Sequence, residues 1–158
     1  MVVIGLGSPF LTDDSVGPRV VRELAARGVA GVRLVEAHAG GLLLLEELAG
    51  ARRAVIVDAL LDEHRTPGEV VLAGLDTVTR NASCSHDCTL AEALAMGHAL
   101  GLALPDPVAI QLVGIVARDV TSFSESLTPE VAAALDRACA AVCAFLTPEK
   151  NIPLGEAA

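Results

Sequence analysis

Four short stretches of the chain carry side chains able to bind a cation or move a proton. They hold Asp13 and Asp14 in GLGSPFLTDDSVG (5–17), Glu36 and His38 in VEAHAGGLL (35–43), Asp58 in AVIVDAL (54–60) and His86 in SCSHDC (83–88). Two carboxylates and one imidazole suit a first-row divalent metal, and three protein ligands leave positions for water or substrate. Each residue also has a plainer use. Asp13 or Asp14 can cap a following helix and complement its dipole. An isolated His86 can satisfy nearby backbone groups. Asp58 is harder to explain that way, because a carboxylate placed straight after four apolar strand residues is desolvated unless a charged or hydrogen-bonding group meets it.

The elements around these residues would bring them to one place. VVIGL (2–6) reads as a strand buried on both faces. Val16, Val20 and Leu24 recur every four residues in the helix that follows, with Pro18 in its first turn and Gly28 at its end. GVRLVEA (31–37) is a second strand, LLLLEELAG (42–50) a second helix and RRAVIVDAL (52–60) a third strand. After a turn at Pro67-Gly68, EVVLA (69–73) is a fourth strand, antiparallel because its connection is too short for a helical crossover. TLAEALAMGHALG (89–101) reads as a helix, VAIQLVGI (108–115) as a fifth strand and TPEVAAALDRACAAVCAFL (128–146) as a last helix with Thr128 as N-cap, Pro129 at N1 and Glu130 in the first turn. The alternation predicts an α/β fold, a three-layer sandwich with a mostly parallel five-stranded sheet flanked by helices. Residues 1–146 form one domain in this reading, and 147–158 a fraying tail. Open sheets of this kind collect ligands at the carboxyl ends of their strands, which is where Asp14, Asp58, Glu36 and His38 fall.

Composition narrows the functions. The chain has 158 residues, 53% of them hydrophobic and 2% aromatic, with a net charge of -9. An acidic chain with few stacking side chains is a poor reader of nucleic acid. Met1 runs directly into VVIGLG without a basic leader, and apolar runs such as AGGLLLL (39–45) are too short to span a bilayer. A cytoplasmic protein with no membrane or nucleic-acid partner is the expectation. Its cysteines, Cys84, Cys88, Cys139 and Cys143, are expected as reduced thiols, with buried core thiols the default.

Three competing sites are weaker. A dinucleotide loop requires GxGxxG, but Phe10 holds the place of the third glycine, where its bulk should obstruct helix–strand packing. Asp13 and Asp14 would also repel a pyrophosphate. Structural zinc on Cys84, His86 and Cys88, assisted by Cys139 and Cys143, lacks the usual paired-ligand spacing. A Cys–His nucleophile remains conceivable, whereas no G-x-S-x-G elbow supports a serine hydrolase.

Taken in order, VVIGLGSPFLTDDSVG, VIVDAL, SCSHDCTLAEAL and QLVGIVARDVTSFSESLTPEV resemble the hydrogenase maturation endopeptidases over nearly the full length. Those proteases trim the carboxyl-terminal extension from the large subunit of nickel–iron hydrogenases. The resemblance implies that Asp14, Asp58 and His86 are the catalytic and metal-contacting residues, with Asp13, Glu36 and His38 as supporting candidates beside them. It implies nickel, supplied by the hydrogenase large-subunit precursor, as the metal that these residues recognise before cleavage. Water would be activated by a carboxylate or by the metal, and the resemblance leaves both routes open. A non-catalytic metal-binding or chaperone-like module for hydrogenase assembly would use the same ligands. Ser8 stands where the family commonly has Asn, and VEAHAGGLL is a loose version of its glycine-rich loop; both border the surface where substrate would dock.

Overall fold

The computed structural model describes residues 1–38, 41–75 and 89–147. The apolar runs form the sheet: β1 (Val2–Leu6), β2 (Arg33–Ala37), β3 (Ala54–Leu60), β4 (Val70–Gly74) and β5 (Ile110–Val116), in the order β2-β1-β3-β5-β4. β1 pairs in parallel with β2 and β3, and β3 with β5. β4 is antiparallel to β5, with Leu72 opposite Val113, as the short connection predicts. Every residue of β1 is buried, which is why its sequence is continuously apolar rather than alternating.

Among the described residues five α-helices pack around the sheet: α1 (Val16–Ala26), α2 (Leu44–Leu48), α3 (Leu90–Ala99), α4 (Pro129–Ala132) and α5 (Leu135–Leu146). The period-two alternation of the strands divides the core in two. Val3, Val55, Val57, Val113 and Ile115 face α1 and α5, where Val16, Val20 and Leu24 are fully buried. Val2, Ile4, Ala54, Ile56 and Leu112 face α2 and α3 on the other side. The result is the predicted three-layer α/β architecture.

The structure corrects the sequence reading in detail. The second helix is shorter than 42–50, with a 3-10 turn over Gly41–Leu43 leading into α2. The last helix is interrupted between α4 and α5. Thr128 makes no side-chain cap to α4, because its hydroxyl is engaged elsewhere. α3 instead has a complete capping box: Glu92 N–H donates to the Thr89 hydroxyl, and Thr89 N–H donates to the Glu92 carboxylate.

Phe10 obstructs nothing; the residue is 71% exposed. Close approach of α1 to the sheet is secured by Gly5 and Gly17. A Cβ on Gly17 would overlap the carbonyl oxygens of Leu6 and Val57, and one on Gly5 would overlap the carbonyl of Gly17. The obstructing atoms are backbone, so neither strand can yield without losing its ladder. Gly17→Ala is therefore expected to cost about 2–4 kcal/mol, read as a lowered urea midpoint at unchanged slope.

Candidate functional site

Asp13 and Asp14 are adjacent in sequence, yet the 3-10 turn over Asp13–Ser15 sends their side chains to different tasks. Asp13 is fully buried. One of its oxygens accepts from the backbone N–H groups of Arg118 and Asp119 at 2.9 and 3.0 Å. The other accepts from Thr128 N–H at 2.8 Å, and the Thr128 hydroxyl lies within 3.0 Å of both. Asp13 N–H in turn donates to the carbonyl of Asp119. The residue is a tie between the loop after β1 and the segment that joins β5 to α4. Neither aspartate caps α1 through its side chain, which removes the plainest reading of the acidic pair.

Asp119 was not singled out from the sequence. Its carboxylate accepts from Thr121 and Ser122 N–H, closing a tight turn; the Ser122 side chain first, and these N–H groups with it, hold it well below the usual carboxylate range. The signal was present as an aspartate two and three residues before Thr and Ser in RDVTS (118–122).

Asp14 stays at the rim. One of its oxygens accepts from Ser8 N–H at 2.7 Å. Gly7 makes this closeness available: its φ is +139°, and a side chain there would overlap the Asp14 carbonyl oxygen.

Asp58 leaves β3 two residues after Ile56, and so on the α2/α3 side of the sheet. Burial is the main cause that lifts its pKa to about 8; a hydrogen bond from Ala59 N–H opposes the rise in part, and the negative charge of Asp14 adds to it. The two carboxylates thus act on each other across the carboxyl ends of β1 and β3. Near neutral pH the pair holds a proton on Asp58, the arrangement in which one carboxyl can donate while its neighbour accepts. A cation would relieve the same repulsion, so the oxygen donors fit a divalent metal.

The supporting candidates separate. Glu36 is held by the Arg22 guanidinium through two hydrogen bonds of 2.9 and 2.6 Å, which lower its pKa, and it serves as a surface ion pair. His38 is exposed, and its Nδ1 donates to the Gly7 carbonyl at 3.0 Å. His86, Cys84 and Cys88 lie outside the described residues. Cys139 and Cys143 are free in α5, and burial raises the Cys139 thiol, as expected of a core cysteine. Among the described residues no group of three or more His, Cys, Asp or Glu side chains is placed to hold a metal. The described share of the site is therefore the Asp14–Asp58 pair. No helix among them is long and apolar enough to cross a membrane.

Known proteins share this fold and much of this chain's length. The family model described as hydrogenase maturation protease matches residues 18–145. The chain is 28% identical to the hydrogenase 2 maturation protease of Escherichia coli K12, over 92% of this chain and 90% of the relative. It is also 28% identical to the hydrogenase expression/formation protein HupM of Azotobacter chroococcum, over 92% and 71%. The solved structure of the hydrogenase maturating endopeptidase HybD from E. coli superposes with a TM-score of 0.70 at 25% identity, covering 92% of this chain and 90% of that one.

Proposed function

The chain belongs to the hydrogenase maturation protease family, and from that premise we propose that it removes the carboxyl-terminal extension of a nickel–iron hydrogenase large-subunit precursor after nickel insertion. It is a peptidase, a hydrolase of peptide bonds. The observation that carries the substrate reading is the placement of Asp58 beside Asp14: burial above all, and the charge of Asp14 in addition, lifts Asp58 to a pKa of about 8. A cation that displaces the Asp58 proton would be held by both carboxylates.

The cation belongs to the substrate: Asp14 and Asp58, with His86, would contact the precursor's nickel. The same carboxylates supply the proton transfers that peptide hydrolysis needs. An ionised Asp14 accepts a proton from the attacking water, and a protonated Asp58 donates towards the leaving amine. This is an aspartic-type division of labour in which burial keeps the proton on Asp58. We place the protein in the cytoplasm, beside the precursor that it processes.

The test is intact-mass spectrometry of nickel-loaded and nickel-free large-subunit precursors after incubation with the protein. Loss of one discrete carboxyl-terminal peptide from the loaded form alone is the expected result. A stable complex with an unshortened, competent precursor would instead identify a metal-binding assembly module.

A further inference from the structure

We infer that His38 is a positioning residue for Asp14, acting through the single peptide group that joins Gly7 to Ser8. The inference rests on the peptidase reading of the Asp14–Asp58 pair. His38 Nδ1 lies 3.0 Å from the Gly7 carbonyl oxygen, and Ser8 N–H donates to Asp14 at 2.7 Å. Carbonyl and N–H belong to the same planar trans unit and point in opposite directions, so fixing one end aims the other.

A carbonyl oxygen only accepts, so Nδ1 carries a proton and is the donor in this bond. Donation to the oxygen also polarises the far N–H, strengthening the bond to the carboxylate. Gly7 cannot turn away from this arrangement. Its N–H donates to the Ala37 carbonyl at 3.0 Å, and its Cα packs against the Asp14 backbone. Glu36, the nearest acid to His38 in sequence, is already held by Arg22 and does not compete for the imidazole. One oxygen of Asp14 is thereby oriented, and the other remains for the chemistry. Groups that orient a reacting ligand from behind typically change activity by about 10–100-fold when removed.

The test compares His38→Ala with His38→Asn in the full chain. An asparagine side-chain amide places an N–H donor one bond beyond Cγ, as imidazole Nδ1 does. His38→Ala is expected to lower kcat for precursor cleavage about 10-fold at nearly unchanged KM, with His38→Asn recovering to within about 3-fold of the original. In nuclear magnetic resonance spectra the Ser8 amide proton is expected to move upfield in His38→Ala and to return in His38→Asn. The amides of Arg118 and Asp119, held by Asp13, should stay in place. Unchanged kcat in His38→Ala, an unmoved Ser8 amide, or equal loss in both variants would each overturn the inference. Failure of the unsubstituted protein to cleave any competent precursor would bring down the peptidase reading itself, and this inference with it.

Discussion

Replacing Asp58 with asparagine is expected to stop precursor cleavage and, at the same time, to make the protein more stable. Cleavage should fall by about 10³-fold or more, the scale set by loss of a positioned proton-transfer group. The stability gain follows from linkage. Asp58 has a pKa of about 8 in the folded chain against an ordinary 3.8. Between those values the folded state holds a proton that the unfolded state has released, so unfolding becomes easier as pH rises through this window. Below about pH 4 both states are protonated and the penalty vanishes; above about pH 8 both are ionised and it is complete.

Asparagine has no charge to desolvate and no repulsion with Asp14. Its advantage should therefore be near zero at pH 4 and grow to about 2 kcal/mol by pH 8, because the partial exposure of Asp58 lets water screen part of the penalty. For a chain of this size that corresponds to a melting temperature about 4–8 °C higher. Thermal unfolding of both proteins from pH 4 to pH 8.5 measures it directly. Curves that stay parallel throughout would show that Asp58 carries no such burden.

Asp13→Ala is expected to have the opposite signature, with a large loss of stability. The substitution removes a fully buried carboxylate that accepts from three backbone N–H groups and one hydroxyl, donated by Arg118, Asp119 and Thr128. Losing four hydrogen bonds to one charged acceptor costs about 3–5 kcal/mol, or a fall in melting temperature on the order of 10 °C. Asp13→Asn should be nearly as damaging. Every group that faces the carboxylate is a donor, and the asparagine amide would direct its own N–H bonds at one of them. Denaturant unfolding of the two variants separates this role from helix capping, in which asparagine substitutes for aspartate at little cost. If Asp13→Asn kept full stability, the tie between the two loops would not be the function of this residue.

The contrast between these neighbours shows where sequence reasoning reached and where it stopped. The sequence points to Phe10 as the place where helix and strand must approach closely, and the structure moves that approach to Gly5 and Gly17. Packing depends on the carbonyls of Leu6 and Val57 rather than on the position that Phe10 occupies. Glu36 and His38 were equally visible at the end of β2, and nothing local distinguished a side chain claimed by Arg22 from one bonded to Gly7.

By itself the sequence determined the elements and their layering, because hydrophobic period and turn residues are local properties that the sheet merely assembles. It also determined that carboxylates would gather at one rim, since each follows a strand and parallel strands share a carboxyl end. Only the tertiary structure decided which of Asp13 and Asp14 faces inward. That choice rests on donors from Arg118, Asp119 and Thr128, more than a hundred residues away. The pKa of Asp58 is likewise a tertiary property: the water it loses and the charge it feels come from the burial of β3 and from a loop that arrives beside it only when the chain has folded.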